Sequence, residues 1–128
     1  MGTPVRKRPV FLDLRLLHFP VGAVLSILHR ITGVLLVCAI PVSIYFLQLL
    51  NSGEEGYLEA VSLLDTLFGK AALSLVAWLL IQHTLSGIRH LAMDMDYGYG
   101  KQSARRTAWV VFGTSFLLMV ATGWLIWR

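Results

Sequence analysis

Four positions in one stretch, His83, Gly87, His90 and Asp94, hold the groups, or in glycine's case the missing group, on which chemistry can be built. At about 100° per residue a helix places them within one stripe roughly 60° wide. The preceding residues, Ala71 to Ile81, are apolar and uncharged. The stripe therefore lies at or inside a membrane. Ionisable groups there are expensive and point by default to a cofactor, a proton path or an ion path. A histidine with a glycine four residues on suits an axial haem ligand, because the missing side chain lets a porphyrin face approach the backbone. It serves equally as a helix-to-helix hydrogen bond. Asp94, near the surface, can relay protons or simply snorkel to the interface.

A second polar stretch reads Ser26-Ile-Leu-His29-Arg30-Ile-Thr32-Gly33. Helical spacing puts Gly22, Ser26, His29, Arg30 and Gly33 on a common face. His29 and Arg30 can hold haem propionates or pair with Asp94, and Ser26 with Arg30 can hydrogen-bond a quinone carbonyl. Arg89 points about 120° away from the His83 stripe, towards a partner or the headgroups.

The elements that must position these groups are read from composition. With 56% hydrophobic residues, 14% charged residues and a mean hydropathy of +0.69, the 128-residue chain has too little polar surface to coat a soluble globule. The expected fold is all-α, one transmembrane domain over residues 1–128. Helix I runs from about 22 to 50, helix II from about 67 to 93 and helix III from about 108 to 127. Ile31 to Leu50 is twenty residues without a charge, enough to cross a hydrocarbon core of about 30 Å, with Pro41 predicting a kink. Asn51 to Thr66, with Glu54, Glu55, Glu59 and Asp65, reads as an acidic loop, and Asp96 to Arg106 as a Gly/Tyr loop. Gly98-Tyr99-Gly100 is no dinucleotide loop, since no strand precedes it. Trp109, Trp124 and Trp127 are expected interface anchors. Residues 1–20 read as a cytoplasmic or interfacial segment, with His18 on its surface.

The net charge of +4 is not gathered into a nucleic-acid patch; the basic residues flank the apolar segments instead. The N-terminus and the second interhelical loop are basic and the first loop acidic, so the N-terminus is expected in the cytoplasm and the C-terminus in the periplasm. His29 then lies about 10 Å, His83 about 15 Å and His90 about 5 Å below the cytoplasmic surface. The single cysteine, Cys38, excludes an internal disulfide and an iron-sulfur cluster held by this chain. The short basic N-terminus reads as neither a cleavable signal nor a transit peptide, which favours a bacterial inner membrane.

Together, Ser26 to Gly33, the block His83 to Asp94 and the early Arg8-Pro9-Val-Phe-Leu-Asp13-Leu resemble the cytochrome b membrane-anchor subunit of bacterial succinate dehydrogenase, over residues 8 to 94 or so. The resemblance implies half of a membrane-anchor helical bundle. The other half would be a second small membrane-anchor subunit, also of three helices. The two would bind one haem b and ubiquinone, and would dock an iron-sulfur subunit and an FAD flavoprotein on the cytoplasmic side. It makes His83 the axial ligand of the haem iron, with the second ligand on the other anchor. It puts Ser26 and Arg30 in the quinone site and His29, Arg30 and His90 near the propionates; Asp94 stays a candidate proton relay from its position alone. Succinate would be oxidised on another chain, and this one would contribute the site where quinone is reduced, linking the tricarboxylic acid cycle to the respiratory chain. The competing expectations are a quinol:fumarate reductase anchor, a haemless anchor, one haem ligated by His29 and His83 together, and a non-redox membrane scaffold or transporter. Transport is disfavoured because helix III carries no charge.

Overall fold

The computed structural model describes residues 19–98 and 100–128; the expectations for His18 and the rest of residues 1–18 lie outside them. The described chain is all-helical, with four helices: α1 (Val21–Leu50), α2 (Glu54–Asp65), α3 (Leu67–Asp94) and α4 (Lys101–Trp127). Helices α1, α3 and α4, of 30, 28 and 27 residues, are long and apolar enough to cross a membrane. Helix α1 continues unbroken through Pro41.

Two loops are shorter than the residue types suggested. Within the acidic stretch, Glu54 and Glu55 occupy the first turn of α2, where carboxylates favour the exposed N–H groups and the helix dipole. Gly56 and Ala60 are buried on its inner side. Space explains Gly56, since a Cβ there would collide with the Leu49 carbonyl and the Ser52 side chain. Thr66 ends α2 and caps α3, its Oγ1 accepting from Gly69 N–H at 3.0 Å. At the second loop, α4 begins at Lys101 rather than near residue 108, so Lys101, Arg105 and Arg106 are helical. The turn before it places Asp96 and Gly98 in the left-handed region, φ 62° and 78°.

Helix α3 is central and packs on both α1 and α4. Leu25, Ala108 and Val111 form a small buried core with Val21, Leu85 and Phe112 packed against it. Polar groups share the interior: Gln82 Nε2 donates to Ser86 Oγ at 3.0 Å, both fully buried. Elsewhere large apolar side chains face outwards, Val34, Val37, Leu47, Leu117 and Trp124 among them. In water such a surface would aggregate; it requires lipid or partner helices. At the end away from the α3–α4 turn, Trp127 Nε1 donates to Ser74 Oγ at 3.0 Å and ties α4 back to α3.

Candidate functional site

The shared face predicted on α1 is the face that meets α3. A Cβ on Gly33 would lie 3.0 Å from His83 Cε1, and one on Gly87 would lie 3.4 Å from His29 Nε2. Gly33 is therefore the seat of the His83 ring, which a side chain there would crowd, whereas Gly87 faces His29 at an ordinary contact distance.

His83 is fixed by its backbone neighbour across the interface. Its Nδ1 lies 3.1 Å from the His29 carbonyl and 3.3 Å from Thr32 Oγ1. The Thr32 hydroxyl itself donates to that carbonyl at 2.9 Å. A carbonyl only accepts, so the proton sits on His83 Nδ1 and the lone pair on Nε2. Among the described residues Nε2 has no hydrogen-bond partner. This is the tautomer that ligates a metal through Nε2, with the second ring nitrogen oriented by a carbonyl.

The three intramembrane histidines come together. The His29 ring stacks on His83 with centroids 4.2 Å apart and planes 18° apart, and on His90 at 5.1 Å and 19°. Face-to-face rings do not converge their nitrogens on one ion. Nor do two axial ligands of one haem stack: they stand on opposite faces of the macrocycle, and no porphyrin fits between rings 4.2 Å apart. His29 as the second ligand beside His83 on one iron is thus incompatible with this arrangement. His90 Nδ1 donates to the Ser86 carbonyl one turn back, at 2.7 Å.

Two cavities border this stack. A groove of about 460 Å³ is lined by His29, Arg30, Gly33, Val34, Val37, Cys38 and His83. It is apolar, opens outwards, and carries the exposed Arg30 guanidinium at its edge. A cavity of about 790 Å³ nearer the α3–α4 turn includes Ser26, Arg89, His90, Lys101 and Arg105. Ser26 and Arg30, one turn apart on α1, border different cavities. Arg30 forms no ion pair with Asp94; among the described residues the one ion pair joins Lys70 to Asp65, at 2.8 Å. Asp94 is exposed at the last turn of α3.

Arg89 corrects the expectation that it faces headgroups or a partner. It is only 7% exposed, with Nε donating to Thr107 Oγ1 at 3.1 Å and an Nη to the Ala104 carbonyl at 3.0 Å. A Cβ on Gly22 of α1 would lie 3.6 Å from the Arg89 Nη2, an ordinary contact. The side chain does leave α3 away from the His83 stripe, but that direction leads to α4. Only the i+3 pair Ala104 and Thr107, a carbonyl and a hydroxyl on one face, could have signalled a receiving surface, and it is visible only once residues 101–107 are helical.

The donor set fits a haem: an apolar groove, one imidazole with its lone pair held by second-sphere bonds, and a cation at the rim for a carboxylate. Comparison with known proteins points the same way. A family model described as succinate dehydrogenase/fumarate reductase transmembrane subunit matches residues 4–122. The succinate dehydrogenase cytochrome b556 subunit of Coxiella burnetii is 38% identical over 125 residues, covering 94% of this chain and 98% of that protein. The subunits of the same name from Rickettsia felis and Paracoccus denitrificans are 32% and 30% identical over 121 and 115 residues, covering 94% and 90% of this chain and 91% and 88% of theirs.

Proposed function

The chain belongs to the succinate dehydrogenase/fumarate reductase transmembrane subunit family, and from that premise we propose that it is the haem b and ubiquinone-binding anchor of a succinate dehydrogenase. In this reading it passes electrons from succinate oxidation, by way of FAD and iron-sulfur subunits, to ubiquinone in the bacterial inner membrane. The N-terminus is cytoplasmic and the C-terminus periplasmic. A second small membrane-anchor subunit would cover the open side of the 460 Å³ groove and would supply the haem's other protein ligand.

The observation that carries the reading is the 3.1 Å approach of His83 Nδ1 to the His29 carbonyl, from which the tautomer follows. The Nδ1–H bond to the His29 carbonyl leaves Nε2 to bind iron. When bound, the haem supplies a one-electron acceptor near the quinone. The chain's own residues do the rest. Gly33 keeps the His83 ring seated, Arg30 and His29 offer charge and hydrogen bonds to the propionates, and the apolar wall of Val34 and Val37 excludes water. Ser26 Oγ and the Arg30 guanidinium are the donors for quinone carbonyls, which polarises the quinone towards reduction. Proton supply runs from the surface past Asp94, with His90 near the propionates.

The test is a split of activities in the purified complex. Ser26→Ala and Arg30→Lys should raise the KM for ubiquinone or lower its reduction about tenfold or more, the cost of one or two charge-assisted bonds. Succinate oxidation by a soluble dye should stay at the wild-type rate. Equal loss of both activities, or of neither, would defeat the assignment.

A further inference from the structure

Thr32 is fully buried in α1 and lines neither cavity. A hydroxyl has one proton to give and two lone pairs. Thr32 gives its proton to the His29 carbonyl at 2.9 Å. Towards His83 Nδ1, 3.3 Å away, it can then only accept. The His83 Nδ1–H is therefore shared between two oxygens, the carbonyl at 3.1 Å and the hydroxyl at 3.3 Å. Both distances exceed the usual value of about 2.9–3.0 Å, as expected of a divided bond. A threonine that bonds a carbonyl of its own helix is ordinary, and Thr122 does so on α4 with no partner on another helix among the described residues. At Thr32 the carbonyl is the one that orients His83, and the hydroxyl also reaches the ring itself.

An oxygen serving two donors makes a weaker bond to each than it would to one, because both draw on the same negative charge. The carbonyl is the nearer of the two acceptors and the better one, so the hydroxyl weakens the hold on His83 more by occupying that carbonyl than it strengthens it as a second oxygen. Gly33 seats Cε1, the carbon beside Nδ1, which leaves the ring little room to turn towards one acceptor. A hydrogen bond at one ring nitrogen increases electron donation from the other, and stronger donation favours oxidised iron. We propose that Thr32 is a positioning residue that keeps a haem bound at His83 easier to reduce: by engaging the His29 carbonyl, it limits the electron density that the imidazole passes to iron through Nε2. The proposal rests on His83 as the ligand, and adds a residue that sets the haem's potential from behind that ligand.

The experiment is a redox titration of the b-type absorbance of the purified complex for wild type, Thr32→Val, Thr32→Ala and Thr32→Ser, with haem content measured on each. Valine and alanine remove the hydroxyl, and serine keeps it. At the wild-type midpoint, the ratio of reduced to oxidised haem should fall about three- to tenfold in Thr32→Val and Thr32→Ala, the weight of one hydrogen bond. Thr32→Ser should titrate like wild type. Serine lacks the same methyl group as alanine, so its rescue separates the hydroxyl from packing. A ratio unchanged or raised in the haem-loaded valine and alanine variants, or equally lowered in Thr32→Ser, would overturn the proposal and leave His83 as ligand. Loss of haem from both hydroxyl-free variants would make Thr32 a structural support and overturn it too. A wild type with no b-type signal, or a signal that survives in His83→Tyr, would overturn the haem reading and the proposal together.

Discussion

Replacing Gly33 with alanine puts a methyl group 3.0 Å from His83 Cε1, about half an ångström inside the optimal carbon–carbon separation. The ring cannot retreat freely, because its Nδ1 is held at 3.1 Å by the His29 carbonyl. A shift of a few tenths of an ångström stretches that bond past good geometry. Overpacking costs about 1–3 kcal/mol and a weakened hydrogen bond up to about 1 kcal/mol. Against this, alanine in a helix interior is favoured over glycine by about 1 kcal/mol. Set against each other these leave the fold unchanged at the low end and destabilised by up to about 3 kcal/mol at the high end, and in either case the ligand's Nε2 is turned away from its aligned position. A residual penalty of about 1.4 kcal/mol corresponds to about tenfold weaker haem retention. The assay is haem per complex after purification, and the rate of haem transfer to excess apomyoglobin, alongside the melting temperature. Gly87→Ala is the comparator, since its Cβ meets His29 Nε2 at a more ordinary 3.4 Å. Gly33→Ala should retain haem about tenfold more weakly, with a melting temperature at or below that of wild type, and Gly87→Ala should resemble wild type. Wild-type haem retention in Gly33→Ala, or equal loss in Gly87→Ala, would refute Gly33 as the seat of the His83 ring.

Further outcomes follow from buried polar groups. Arg89→Met removes both bonds from α3 to α4 and should destabilise the helix pair by about 2 kcal/mol, with Arg89→Lys intermediate; thermal denaturation of the purified complex measures it, and no change would mean that the clamp contributes nothing. Ser86→Ala leaves the buried Gln82 amide without its acceptor and should cost about 1–3 kcal/mol. Ser115→Ala should be neutral or stabilising, because the Ser115 hydroxyl is buried with no partner among the described residues. Unfolding in sodium dodecyl sulfate separates the two, and the reverse order would contradict the packing described.

What can be read from the sequence is what a single helix determines. The spacing of Gly22, Ser26, His29 and Gly33 defines a face without reference to any neighbour, and so does the stripe from His83 to Asp94. Three apolar runs define three crossings. The charged stretches are harder, since the same residues serve loops and helix ends. Glu54 and Glu55 read as loop, yet acidic residues in a first turn are what α2 needs, and Tyr57, Val61 and Leu64 follow at helical spacing. Lys101 and Arg105 read as loop because they follow the Gly/Tyr stretch Tyr97 to Gly100, yet α4 begins at Lys101. The direction of a face is a property of packing: Arg89 lies off the histidine stripe, but only the position of α4 shows that it is buried. The stack of His29 between His83 and His90 likewise depends on how α1 and α3 cross, which no spacing within one helix specifies.

Whether His83 Nε2 binds a haem iron is tested most directly by a dithionite-reduced minus oxidised visible spectrum of the complex, purified through a tag on this chain, for wild type, His83→Tyr and His29→Tyr. Ligation by His83 predicts a b-type signal in wild type, lost or strongly shifted in His83→Tyr and barely shifted in His29→Tyr. A signal unaltered in His83→Tyr, abolished in His29→Tyr, or absent from the wild type would contradict it and leave His83 as a helix-packing residue.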